Sequence, residues 1–488
     1  MSILFILIPF IASAILLLLR PGGSRSIALF AALANLAVTT YCLCCDYSQG
    51  MNCIFSVPWV ESAGITFSLG MDGITLVMLV LTNLLTPLII LSSWDRNMGN
   101  EPRYYGLVLL MLGALNGVFL AQDGLLFYVF YELALIPIYF ICAIWGGQDR
   151  IRVTLKFFIY TFVGSLFMLV ALLWVYLQTN VGELPGGAVK HSFAWADLVA
   201  VQLSPTAANW VLLGFFLAFA VKMPVFPLHT WQPDTYVTSP TGGTMLLSGI
   251  MLKMGIYGVI RWMIPLAPEA MHTLDPIFIS LAVFGIIYAS IIAVKQTDIK
   301  RLVAYSSIAH VGLIAAGVLA WNKVGVQGGV LQMLNHGINV VGLFFVVDML
   351  ERRLGTRSLA DMGGIAKSAP KFATLFMIIV LGSLAVPLTN GFPGEFLLLN
   401  GIWNYNFWMG VLAGLTIILG AVYMLRAYGL VVFGDPKPAT ENFEDVNTRE
   451  FLVLGIIATL VIVLGFFPQA ILCLTEESVE RILSAVQF

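Results

Sequence analysis

The sequence predicts an all-α polytopic membrane protein of about fourteen transmembrane helices, with broken helices at the seventh and twelfth spans. Three observations carry that prediction. Hydrophobic residues make up 59% of the 488 positions and charged residues 10%, against roughly 25% charged in soluble domains. A chain of this length has too little polar surface to face water and belongs in a bilayer. Apolar runs long enough to span recur from one end to the other. The basic residues between those runs fall very unequally on alternate loops, as a single orientation in the membrane requires.

Taken in order, the spans fall at about 2–19, 26–45, 70–94, 105–121, 124–145, 154–179, 208–229, 239–265, 275–295, 301–321, 325–350, 371–403, 405–432 and 450–472. The first run, MSILFILIPFIASAILLLLRPGGSR, has no positive segment before its apolar core, so it reads as a retained helix and not a cleaved signal. The two longest intervals exceed a tight loop. Residues 46–69 include Val57-Pro58-Trp59-Val60 and Ile65-Thr66-Phe67, the makings of a small hairpin at the membrane surface. Residues 180–207 read as a polar loop lying on the membrane. With the N-terminus outside, the cytoplasmic loops collect about eighteen basic residues, from Arg20 through Lys300 to Arg449, and the outer loops four: Lys190, Arg261, Lys323 and Arg481. The asymmetry calls for an even number of spans with both termini outside. It leaves Lys222 and Lys253 inside the membrane.

The net charge of −2 and the absence of a basic patch exclude a nucleic-acid partner. Cys42, Cys44, Cys45 and Cys53 could be metal ligands, but with Cys142 and Cys473 they read better as small apolar residues. No haem or iron–sulfur ligation pattern is present, which places any redox chemistry in another chain.

Ionisable residues in mid-span are the candidate site. Glu132 lies in FYVFYELALIPIYF, Lys222 in AFAVKMPVFPLHTW, Lys253 in LLSGIMLKMGIYGVI, His310 in AYSSIAHVGLI and His336 in QMLNHGINVVGLF. His229 ends the seventh span and Glu395 follows the second break, VPLTNGFPGE. A lysine at the centre of a bilayer helix costs about 2.5–3.5 kcal/mol on insertion scales. A buried lysine whose acidic partner comes and goes is a switchable proton site, with Glu132 the natural partner of Lys222. Histidines exchange protons near neutrality and suit relay positions, or they tie two helices by a hydrogen bond. Pro224 and Pro227 are expected to strip the carbonyls of Ala220 and Met223 of their helix donors, giving Lys222 a polar pocket at the negative end of a half-helix. Glu395 is expected in the first turn of the half-helix after Gly391-Phe392-Pro393-Gly394, where free N–H groups favour an anion. The two breaks lie five spans apart and so cross in opposite senses, the sequence sign of an inverted repeat; two ordinary proline kinks are the alternative.

FAVKMPVFPLHTWQPD, LKMGIYGVIR, QTDIKRLVAYSSIAHVG and NGFPGEF together resemble the antiporter-like chains of respiratory complex I, most closely the M-type (subunit 4) chains of NADH-quinone oxidoreductase. The resemblance covers nearly the whole chain. Sister chains and Mrp-type sodium/proton antiporters typically carry lysine where this chain has Glu395. The resemblance implies three N-terminal helices in 1–104, a first repeat of helices 4–8 in 105–266, a second, inverted repeat of helices 9–13 in 275–432, and helix 14 with a tail in 433–488. It implies proton translocation along a polar axis through Glu132, Lys222, Lys253, His310, His336 and Glu395. It places FMN, iron–sulfur clusters and quinone in partner subunits, with none bound here, and gives L-type and N-type chains and membrane lipids as neighbours. It also implies a bacterial inner membrane with both termini periplasmic. Relatives commonly read PDAH where this chain has Pro233-Asp234-Thr235-Tyr236, so the usual histidine is absent at that position, and HGLS or HGLT where it has His336-Gly337-Ile338-Asn339. The alternatives are an Mrp-type antiporter subunit, the membrane subunit of a related hydrogenase complex, a quinone-binding redox subunit and a structural scaffold.

Overall fold

A bilayer offers the backbone no partner but itself, so spanning segments close their own hydrogen bonds as helices. The computed structural model describes residues 1–44, 50–183 and 189–484. Its helices are α1 (Leu4–Ala14), α2 (Ser24–Cys42), α3 (Gly73–Ser92), α4 (Glu101–Leu120), α5 (Gly124–Leu133), α6 (Leu135–Trp145), α7 (Arg150–Gln178), the short α8 (Trp195–Val199), α9 (Pro205–Lys222) and α10 (Gln232–Thr238). Then come α11 (Thr241–Leu246), α12 (Lys253–Gly258) and α13 (Ile264–Leu266), which π-helical turns at Leu247–Met251 and Val259–Met263 join into one rod. The remainder are α14 (Pro268–Lys295), α15 (Ile299–Leu319), α16 (Lys323–Leu354), α17 (Ile365–Ser368), α18 (Pro370–Ser383), α19 (Gly391–Tyr405), α20 (Phe407–Val432), α21 (Thr448–Phe466) and α22 (Gln469–Ser484).

Among the described residues, twelve helices are long and apolar enough to cross a membrane, with two shorter apolar helices at Leu4–Leu19 and Pro370–Ser383. The span expected at 371–403 is two helices, α18 and α19, separated by residues in which Ala385 and Leu388 take positive φ (51° and 73°). Such backbone costs about 1–3 kcal/mol per residue and persists only where surroundings fix it. Here Asn335 Nδ2 donates to the Asn390 carbonyl at 2.6 Å, and the Asn390 N–H donates to Val461 at 2.8 Å.

The rod Thr241–Leu266 and helix α16 are buried throughout their apolar windows. Helices α7, α14 and α20 turn apolar side chains such as Phe167, Trp174, Phe284 and Ile418 outward, as lipid-facing helices do. Glycines bring the buried rod close to α9: a side chain at Gly258 would collide with the Phe219 ring.

The expected hairpin is present. Strands β1 (Asn52–Val60) and β2 (Ile65–Met71) pair antiparallel with Val57 opposite Phe67. The described part of 180–207 folds against it, with the Phe193 N–H donating to Gly64 at 3.2 Å. Cys45, read as an apolar helix residue, lies outside the described residues.

Two basic residues assigned to loops are buried. Arg261, expected outside, is 4% exposed and pairs with Asp72 at 2.9 Å, donates to Gln122 Oε1 at 3.0 Å and stacks 4.8 Å from the Trp195 ring. Lys300, expected in a cytoplasmic loop, is 3% exposed and donates to the Ser239 carbonyl at 3.0 Å. Each stands within a turn of a span end, where a long side chain folds back among helices instead of into water. Amphipathic α22 follows the last expected span and packs Thr475, Ser478, Val479 and Ile482 inward; Ser478 Oγ accepts from the Gly73 N–H at 3.0 Å.

Candidate functional site

The polar centre is built on the buried rod, α15, α16 and α19. Widening the rod into a π turn at Leu247–Met251 sends the Leu252 N–H to the Leu247 carbonyl. The Lys253 ammonium occupies the space beside it and donates to the Ser248 carbonyl at 2.6 Å. π turns of this kind recur at functional sites. Lys253 Nζ also lies 2.9 Å from His336 Nδ1 of α16. With Lys253 as an ammonium, which has only donors, His336 accepts at Nδ1 and carries its own proton on Nε2.

The His336 and His310 rings stand 6.0 Å apart, centroid to centroid. His310 Nδ1 is 2.9 Å from Glu395 Oε1, and that same oxygen accepts from Gln332 Nε2 at 3.4 Å. Lys253, His336, His310 and Glu395 are all at least nine-tenths buried. His310, His336, Ser306, Ser307, Asn339 and Glu395 border one cavity, with room for about one water. His310 Nε2 and Ser307 Oγ are buried without a protein partner. On the other flank, Ser306 Oγ lies 3.1 Å from Tyr423 OH of α20.

The first break is different in detail from its sequence reading. Lys222 is the last residue of α9, as expected. The Ala220 carbonyl is not bare, because the chain turns back and the Val225 N–H reaches it at 2.9 Å; the Val221 carbonyl accepts from Trp231 Nε1, also at 2.9 Å. Closure one residue further along replaces the donor that Pro224 lacks. The ammonium lies 4.8 Å from the centre of the Tyr131 ring, a cation–π contact.

Glu132 and Lys222 do not form a direct ion pair. Glu132 is half-buried near the end of α5, beside Ser165 of α7. Shared depth in the membrane does not fix the direction in which a helix points its side chains. His229 stands apart as well: it is buried between Phe226 and Tyr288, ring centres 5.6 and 5.2 Å away, with Nδ1 unpartnered.

Glu395 is the fifth residue of α19, one turn later than expected. Pro393 caused the misreading. It fits the first turn of a helix, whose N–H groups have no partner in any case, so the helix starts before the proline. His310 and Gln332, rather than a helix N-terminus, hold the carboxyl.

Gln332 and Asn335 were missed. Gln332, Asn335, His336 and Asn339 recur at the spacing of one helix face, a polar stripe in an otherwise apolar run. Asp348, 1% exposed on α16, was also missed; it pairs with Arg96 and, at 2.9 Å, with Arg352. Among the described residues no group of three or more His, Cys, Asp or Glu side chains is arranged to hold a metal.

A family described as "NADH:quinone oxidoreductase/Mrp antiporter, TM" matches residues 121–422. The chain is 40% identical over 428 residues to NADH-quinone oxidoreductase subunit M of Rickettsia typhi, covering 87% of this chain and 84% of that one. It is 36% identical over 492 residues to NADH-ubiquinone oxidoreductase chain 4 of Arabidopsis thaliana, covering 99% and 97%. A chain of the solved structure of respiratory complex I from Thermus thermophilus with bound NADH shares the fold over 100% of both chains, with a TM-score of 0.90 and 32% identity.

Proposed function

The chain belongs to the NADH:quinone oxidoreductase/Mrp antiporter family of transmembrane proteins, and from that premise we propose that it is the M-type membrane-arm chain of an NADH:quinone oxidoreductase and translocates protons. Electrons pass from NADH to quinone in other subunits, which carry the FMN, the iron–sulfur clusters and the quinone. Its neighbours are the L-type and N-type antiporter-like chains and membrane lipids. It lies in a bacterial inner membrane with both termini periplasmic, and residues 105–266 and 275–432 are its two inverted repeats, between three helices in 1–104 and the last helix and tail in 433–488.

One observation carries the reading: Lys253, His336, His310 and Glu395 stand in a buried series, joined at both ends by contacts of 2.9 Å. That is hydrogen-bond reach, the requirement for direct proton transfer. The Lys253 ammonium gives a proton to His336 Nδ1, leaving an amine and an imidazolium. The imidazolium releases its Nε2 proton to a water in the cavity that both histidines border, and the water passes one to His310 Nε2. His310 releases its Nδ1 proton to Glu395 Oε1. Each imidazole thus takes a proton on one nitrogen and loses it from the other. Lys222 and Glu132 act through the field: a proton gained or lost at half-buried Glu132 changes the charge facing the Lys222 ammonium. His229 serves as a relay at the cytoplasmic end of the first break.

Glu395→Gln tests the reading. Glutamine keeps the shape and accepts from His310 but cannot ionise. The assembled complex is expected to reduce quinone with a clearly lower proton yield per electron pair. An unchanged proton yield in that variant would reject the transport role.

A further inference from the structure

We propose that Gln332 is the positioning residue of Glu395: its side-chain amide holds the carboxyl in line with His310 in both protonation states. The inference rests on the proton-transfer reading and adds a residue to it.

Three observations carry it. Gln332 Nε2 donates to Glu395 Oε1 at 3.4 Å, the oxygen that faces His310 Nδ1 at 2.9 Å. The other end of the amide, Gln332 Oε1, is buried without a protein partner. And the amide lies directly on the backbone beside Glu395, where only glycine leaves room: a side chain at Gly394 would collide with Gln332 Oε1.

The chemistry follows from the donor and acceptor inventory. A carboxylate only accepts, and it meets the amide N–H. A carboxylic acid also has one O–H to place, and a buried donor left without an acceptor is unfavourable. Once His310 has given up its Nδ1 proton it can accept that O–H, but in that geometry the proton simply returns. Holding the acid after His310 is reprotonated needs a second acceptor. Gln332 Oε1 is such an acceptor, and rotation about the last side-chain bond exchanges it with Nε2. Asn339 Oδ1, also unpartnered, lies against Gly382 of α18 and not against Gly394. An apolar side chain at 332 would fill the same volume and serve neither state.

The test uses the purified, assembled complex with Gln332→Met, which matches the length of glutamine and removes both amide groups. The readout is the infrared C=O stretch of protonated Glu395, identified as the band absent from Glu395→Gln. Gln332→Met is expected to move that band to higher frequency, since a carboxyl with fewer hydrogen bonds has a stiffer C=O. Coupled pumping is expected to fall by up to about 10²-fold, the effect of a misplacement near 1 Å. A packing role alone would leave the band where it is. Gly394→Ala, which keeps the amide but pushes it aside, is expected to move the same band and stands in should Gln332→Met fail to assemble. An unmoved band in either assembled variant overturns the proposal, as does the lack of any Glu395 band in the wild-type complex. Normal pumping in Glu395→Gln rejects the transport reading itself; lost pumping there with an unmoved band rejects only the role of Gln332.

Discussion

Replacing Lys253 by methionine separates transport from folding, because the structure gives opposing terms of similar size. Methionine is close in length and apolar, so packing is retained. The substitution strips two buried acceptors of their donor: the Ser248 carbonyl at 2.6 Å and His336 Nδ1 at 2.9 Å. At about 1–3 kcal/mol for each unsatisfied buried group, the loss is about 2–6 kcal/mol. Against it stands the removal of an ammonium that is 0% exposed, whose burial costs several kcal/mol. The net change in stability is a few kcal/mol at most, of either sign, and the chain should assemble. Transport has no such compensation. Losing a proton donor or acceptor within hydrogen-bond reach costs about 10²–10⁴-fold in rate. The assay is proton uptake and quinone reduction in inverted membrane vesicles, with the amount of assembled complex measured in the same preparation. The expected result is near-normal assembly and a sharply lower proton yield. A Lys253→Met complex that pumps with wild-type yield would refute the role of the buried series; failure of the chain to accumulate would refute the energy balance.

Other variants probe the frame. Arg261→Met leaves Asp72 buried without its partner (side chains 5% and 7% exposed) and is expected to destabilise by about 3–5 kcal/mol. Adding Asp72→Asn should recover much of that, since asparagine still caps α3 as Asp72 does through the Thr75 N–H; thermal unfolding of the purified protein that shows no recovery would count against the pair as the cause. Pro9 leaves the Phe5 carbonyl without its helix donor, and Asn116 Nδ2 at 3.0 Å and Asn35 Nδ2 at 3.2 Å take its place. Asn116→Leu and Asn35→Leu should each cost about 1 kcal/mol, and the double variant more than their sum; strict additivity in unfolding measurements would contradict the sharing. Topology is read by an impermeant thiol reagent in a cysteine-free background, with Ser484→Cys labelled in intact cells and Arg152→Cys only after permeabilisation. The reverse pattern would overturn the orientation.

How much of this was legible in the sequence depends on the kind of signal each residue gives. Lys222, Lys253, His310, His336 and Glu395 stand out because an ionisable group in an apolar run has few structural excuses. Gln332 and Asn335 carry no charge, and a composition scan passes over them. Only their spacing with His336 and Asn339 marks a polar face, and that pattern becomes decisive once α16 is known to be buried along its length. Arg261 and Lys300 were misplaced because a basic residue near a span end reads the same whether it reaches water or folds inward; the Asp72 and Ser239 partners that settle the matter are remote in sequence. Pro224 and Pro387 lie in the turns that follow α9 and α18, but the sequence did not show the hydrogen bonds made there. Pro224 does free the Ala220 carbonyl, yet the donor that rescues it comes from Val225, after a turn that local rules do not specify. Pro393 shows the converse, a proline inside the first turn of a helix, where it breaks nothing. Glu132 marks the remaining limit. Its place in an apolar helix was readable and its direction was not, because direction depends on how α5 rotates against α7 and α9. A single substitution on the facing side of α7 tests that geometry: Ser165→Ala removes the group beside Glu132 without touching Lys222. If Glu132 acts on Lys222 only through the field, pumping in Ser165→Ala should change far less than in Glu132→Gln. Equal losses in the two would mean that the Ser165 contact, not the charge, is what the first half of the path requires.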